Sequence, residues 1–231
     1  MIIFLQLKGE NIKNNIDFWI RSNTKFSRKN FVETDEKILY RNYLENLYTF
    51  DILDKCFVKK IYVNPKILDI GSKNWFYAKG EYSFFDSFCS GFSLDGVEID
   101  AYRLYSNFYS RYETAKFYTR GLKNTRYIAS NLLNIKDRYD FIVWFLPFVL
   151  KEPHIKWGLP MACFMPQELL EHAMSLLNLN GQMLIINQGE SEAAAQKKLL
   201  DSLKIKYEEK GIVKSDFLQY KNDRYAFLIN N

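Results

Sequence analysis

The stretch Lys66-Ile-Leu-Asp-Ile-Gly-Ser-Lys-Asn-Trp75 begins as a short apolar strand and ends as a turn. Asp69 places a hydrogen-bond acceptor at the strand's end. Gly71 permits a tight turn and close backbone approach. In an open α/β sheet, ligands bind outside the carboxyl ends of the strands, where the strand order reverses. A strand running into such a turn is therefore a natural cradle for an anion or a cofactor.

Working outward from that turn, strand-like and helix-like blocks alternate. Residues 94–100 hold a second strand, and a helical block covers 101–118. Residues 126–130 are a third strand candidate. Residues 139–145 are a fourth, an uninterrupted apolar run of the kind buried on both faces. An amphipathic helix over 167–179 stops at Asn180-Gly181, a combination that favours a helix C-terminus. Residues 182–187 form the fifth strand and 191–203 the next helix. Two last strands, 204–209 and 224–229, are separated by loop-like residues and suit an antiparallel pair. The pattern predicts an α/β, doubly wound, mostly parallel seven-stranded sheet with a terminal antiparallel hairpin.

Upstream the texture differs. Residues 1–60 read as a mainly helical N-terminal extension or lid, and 61–231 as the Rossmann-like domain. Ile16, Ile20, Ile38, Leu39, Tyr43, Leu44, Leu47 and Tyr48 recur at helical spacing. Between them, residues 21–30 are basic and polar, either a solvated connection or an arm over a site or along nucleic acid.

Composition removes other classes. Hydrophobic residues make up 48% and charged residues 26% of the 231, which is a globular balance. The longest apolar run, 141–150, is interrupted by Pro147 and falls short of the roughly 18–20 residues of a membrane helix. The apolar start, 1–7, lacks the features of a secretory signal. Cys56, Cys89 and Cys163 are widely spaced with no CxxC, so neither a disulfide framework nor a structural metal is expected, and a cytoplasmic home is. A net charge of +5 permits a polyanion without requiring one. No phosphate-loop or Gly-x-Ser-x-Gly motif is present, and two His offer little to zinc or a di-iron centre.

Glu98 closes the second strand, 27 residues beyond Gly71, where a carboxylate can accept both hydroxyls of a ribose. At these residues the sequence resembles the class I S-adenosylmethionine-dependent methyltransferases. The likeness rests on Leu68-Asp-Ile-Gly71, on Gly96-Val-Glu-Ile-Asp100, on Tyr139-Asp-Phe-Ile-Val143 and on the helix–Gly181–strand unit over 176–186. The closing strand pair resembles the family's hairpin. The resemblance implies S-adenosylmethionine as cofactor. It puts Asp69, Gly71, Ser72 and Lys73 around the methionine end, Glu98 on the ribose, Ile99 on one adenine face, and Asn131 and Leu132 at the adenine edge.

Two departures stand out. Where the family continues Asp-x-Gly-x-Gly-x-Gly, this chain has Lys73 and Trp75. Lys73 either turns outward, pairs its ammonium with the cofactor carboxylate, or helps close the pocket. After the fourth strand, Trp144-Phe-Leu-Pro-Phe148 lacks the amide or carboxylate that amino-methyltransferases carry there. Trp144 and Phe148 then read as acceptor wall, with Trp157 from the loop 151–160 and Asn187 after the fifth strand. His154 is the base candidate, since an unperturbed His titrates near neutrality. His172, inside a helix, reads as structural. The acceptor expected is a small molecule, favoured over RNA. The alternative is a catalytically inactive methyltransferase-like binding or scaffold module.

Overall fold

The computed structural model describes residues 36–231. Ile16, Ile20 and the basic stretch 21–30 lie outside the described residues. In chain order the elements are α1 (Glu36–Cys56), β1 (Tyr62–Val63), β2 (Lys66–Ile70), α2 (Ala78–Asp86), β3 (Cys89–Ser90), β4 (Ser93–Glu98), α3 (Arg111–Tyr118) and β5 (Thr125–Ala129). There follow β6 (Tyr139–Phe145), α4 (Lys151–Trp157), α5 (Pro166–Leu176), β7 (Leu177–Gln188), α6 (Gly189–Ser202), β8 (Glu208–Val213) and β9 (Arg224–Asn230).

Seven strands form one sheet in the order β5-β4-β2-β6-β7-β9-β8. The first five are parallel, and β9 runs antiparallel to both β7 and β8. The expected sheet and hairpin are therefore present. Strand order reverses at β2, which has β4 on one side and β6 on the other. The short pair β1–β3 stands apart from this sheet.

Burial on both faces explains the apolar runs. On one face Ile67, Phe141 and Leu184 pack with Ile52 and Leu53 of α1 and with Phe84 and Phe85 of α2. On the other, Leu68, Ile142 and Ile185 pack with Leu170 and Leu176 of α5 and with Leu200 of α6. Phe57, Phe85, Phe88 and Tyr62 ring Phe141 at centroid distances of 4.7 to 6.0 Å. The helix α1 is thus part of the packed body.

Several boundaries differ from the sequence reading. Only Arg111–Tyr118 of the expected 101–118 block is helical. Ser110 and Glu113 form a reciprocal capping box that starts the helix there. Residues 151–160, read as a loop, hold α4, with Gly158 in the left-handed conformation ending it at φ 82°. Pro153 is tolerated because it falls in the first turn. The helix before β7 ends at Leu176 rather than near 179. The strand expected at 204–209 begins at Glu208, because Ile205 N–H still bonds back to the Leu200 carbonyl as a helix-end turn. The sequence reading placed no element at the short helix α2.

Candidate active site

The turn after β2 keeps a left-handed backbone at alternate residues although only the first of them is glycine. Gly71, Lys73 and Trp75 have φ of 74°, 54° and 48°, in the left-handed region that L side chains rarely adopt. Gly71 and Ser72 N–H groups both donate to the Val97 carbonyl, at 2.9 and 3.3 Å, tying the turn to β4. A Cβ built on Gly71 would meet nothing within 4 Å, so this glycine borders open space.

Trp75 points away from that space. Its side chain is fully buried, lies against Gly96 and Tyr127, and donates Nε1–H to Glu81 Oε2 at 3.0 Å. Ser72 is also fully buried. Asp69 faces the same interior: Tyr77 donates its hydroxyl to Oδ2 at 2.7 Å. Burial, with Glu81 beside it, pushes the Asp69 acid well up, and burial pushes Glu81 up to about 8.

Glu98 stands at the end of β4 with both oxygens oriented. Lys73 N–H donates to Oε2 at 2.9 Å and Asp100 N–H to Oε1 at 2.8 Å, while Arg111 Nη1 lies 3.7 Å from Oε1. The Tyr127 hydroxyl donates to the Lys73 carbonyl. Next to Glu98 come Ile99 and, after β5, Asn131 and Leu132. Asn131 accepts the Leu133 N–H through Oδ1 at 3.0 Å, capping a short 3-10 turn that presents Leu132.

These residues open on a cavity of about 560 Å³, within the range usual for ligand sites. Gly71, Lys73, Glu98, Ile99, Asn131 and Leu132 line it. Trp144, Phe148, His154 and Trp157 continue the wall. Asp69, Ser72, Trp75 and Asn187 do not line it. Asn187 is fully buried at the end of β7. His154 is buried between Phe148 and Phe164, at ring distances of 5.4 and 5.3 Å, with Nε2 2.9 Å from the Pro160 carbonyl. His172 Nε2 lies 3.0 Å from the Ile135 carbonyl and ties α5 to the chain before β6.

The helix α4 is clasped over the cavity. The Trp157 ring meets Lys73 Nζ at 5.1 Å and the Arg111 guanidinium at 4.9 Å. Arg103 donates to the carbonyls of Trp157 and Gly158 at 2.5 and 3.2 Å. Burial and the nearby Arg111 lower the Lys73 pKa.

A further, polar part of the cavity lining was not read from sequence. Glu45 and Tyr48 of α1, Glu192 and Gln196 of α6, Tyr220 and Arg224 make it up. They come from three elements and a loop up to 179 residues apart in the chain, and no local spacing marks them.

Among the described residues no helix is long and apolar enough to cross a membrane, and no cluster of His, Cys, Asp and Glu could hold a metal ion. No protein-family model matches the chain, and no curated protein matches it. Solved structures do. A SAM-dependent methyltransferase from Aquifex aeolicus is similar at a TM-score of 0.54 with 16% identity, over 81% of this chain and 90% of that one. A cyclopropane-fatty-acyl-phospholipid synthase-like protein from Lactobacillus casei is similar at 0.59 with 10% identity, over 85% and 94%. The chain has the fold of the class I S-adenosylmethionine-dependent methyltransferases.

Proposed function

We propose that the protein transfers a methyl group from S-adenosylmethionine to a small-molecule acceptor. One observation carries this reading: a single cavity runs from Gly71 and Glu98 to the apolar wall after β6, and the Trp75 side chain lies outside it. The open space over Gly71 and the inward carboxylate of Glu98 fit such a cofactor. Bound there, it would supply an electrophilic methyl group.

The chain's own residues then have these tasks. Glu98, already oriented by two backbone N–H groups, would accept the ribose hydroxyls. Ile99 and Leu132 would flank the adenine, with Asn131 at its edge. Lys73 would face the carboxylate of the methionine end. Asp69 and Ser72 would act from below, by fixing the turn that carries Gly71. Trp144, Phe148 and Trp157 would exclude water from the reacting centre. His154 would hold that wall in place through the Pro160 carbonyl. Positioning supplies much of the rate in such an in-line displacement. A base is needed only where the acceptor must lose a proton. The enclosed apolar wall favours a small molecule over RNA. The alternative of a non-catalytic module gains no support from Trp75, whose side chain lies outside the cavity.

Isothermal titration with S-adenosylhomocysteine tests the reading. Saturable one-site binding to the folded protein is expected. Absence of heat at two temperatures would end it.

A further inference from the structure

The polar end of the cavity carries a feature that methyl transfer alone does not require. Arg224 is the first residue of β9 and stands opposite Gln188 of β7. Because β9 is antiparallel, its start lies at the carboxyl ends of the parallel strands, on the same edge as Gly71 and Glu98. Arg224 is only 7% exposed, yet it lines the cavity.

Its contacts are few. The guanidinium lies 4.1 Å from the centroid of the Tyr220 ring, and Nη1 donates to the Asn222 carbonyl at 3.1 Å. It forms no ion pair with an Asp or Glu of the described residues. The two acids at this end also have other partners. Glu45 accepts from Arg41 Nε at 2.8 Å and from the Tyr220 hydroxyl. Glu192 accepts the Gln188 N–H at 3.0 Å, and burial pushes its acid up, though Arg224 draws it back.

A buried cation with no carboxylate at ion-pair distance among the described residues, though Glu45 and Glu192 flank it, gains from an anion that comes closer. A guanidinium offers five donors in a rigid fork, and this one spends one on a carbonyl and faces the Tyr48 hydroxyl with another. The fork matches a planar carboxylate. A doubly charged phosphate suits the place less well, because Glu45 and Glu192 flank it. The same cavity is also lined by the apolar side chains of Phe145, Leu146, Phe148 and Leu199.

We propose that Arg224 anchors a carboxylate on the methyl acceptor, so that the acceptor is a small apolar or aromatic carboxylic acid. The word acceptor rests on the methyl-transfer reading; the carboxylate site does not.

The test titrates the full chain with 4-phenylbutanoate and with straight-chain acids from hexanoate to dodecanoate, each beside its primary amide. The acids bind saturably, and the amides at least about tenfold more weakly. Arg224→Gln weakens the acids by about tenfold or more while S-adenosylhomocysteine binding is retained, which also reports folding. Arg224→Lys, which keeps the charge and loses the fork, serves if the first variant does not fold; it is expected to weaken the acids severalfold. Acids and amides binding alike, no acid binding at all, or unchanged acid affinity in a folded variant overturns the proposal. Acid binding without S-adenosylhomocysteine binding supports the Arg224 site and ends the methyl-transfer reading. The reverse result ends the Arg224 site alone.

Discussion

The indole of Trp75 occupies the space that a side chain at residue 96 would need. A Cβ on Gly96 would come within 2.8 Å of the Trp75 ring and 2.9 Å of Ser72 Oγ. The loop carries the largest side chain at residue 75, and the neighbouring strand leaves the volume for it at Gly96. Gly96→Ala is expected to destabilise the fold by about 1–3 kcal/mol through overpacking. Trp75→Ala is expected to cost about 3–5 kcal/mol through the void it leaves. The two are in contact, so they should not add. Urea denaturation of both single variants and the double variant checks this. Full additivity would mean that the ring does not press on Gly96.

Glu98 is the carboxylate that the cofactor reading depends on most. Glu98→Ala is expected to weaken S-adenosylhomocysteine by at least about tenfold, because it removes the acceptor of two hydroxyls. It also frees the Lys73 and Asp100 N–H groups, so some stability is lost with it. Calorimetry on the folded variant decides. Unchanged affinity would remove Glu98 from the site.

Lys73 can be separated from the rest of the pocket by choice of ligand. Lys73→Met keeps the apolar stem and removes the ammonium. Affinity for S-adenosylhomocysteine, which has a carboxylate, is predicted to fall by about tenfold, an amount ordinary for a partly desolvated ion pair. Affinity for adenosine, which has none, should stay the same. Equal losses for both ligands would show that Lys73 acts only on the shape of the loop.

Glu81 gives a signature in pH. Its folded acid titrates near 8, well above the ordinary carboxylate range, because it is buried beneath Trp75. Asp69, its neighbour, is raised as well. A group raised on folding stabilises fully below its unfolded pKa and loses that contribution as pH rises through the folded one. Stability should therefore fall between about pH 4.5 and 8, by up to about 1.4 kcal/mol per pH unit for one proton. Glu81→Gln keeps an acceptor for the indole N–H and should flatten the slope. Thermal melts from pH 5 to 8 on both proteins measure it, and parallel slopes would sink the assignment.

Much of the fold was legible because buried parallel strands are written as continuous apolar runs. β2 and β6 begin and end where Lys66–Ile70 and Tyr139–Phe145 suggested. The pattern failed where local chemistry was mixed. Residues 151–160 read as a loop, yet a first-turn proline and a left-handed glycine bracket a helix there. The direction of Trp75 was hidden for another reason. A side chain at φ 48° leaves the backbone on a path that no spacing rule describes. On the cofactor side of the cavity, motif residues close in sequence are close in space. At its polar end they are not. Glu45, Glu192 and Arg224 meet only because α1 packs on the sheet and β9 returns antiparallel to it.

The clasp on α4 bears on time as well as on place. Trp157 is held through its ring by Lys73 and Arg111 and through its carbonyl by Arg103. If a bound molecule leaves beneath that helix, the three cationic contacts would have to open first, and its time in the cavity would then be set by the lifting of α4 rather than by the chemistry it encloses.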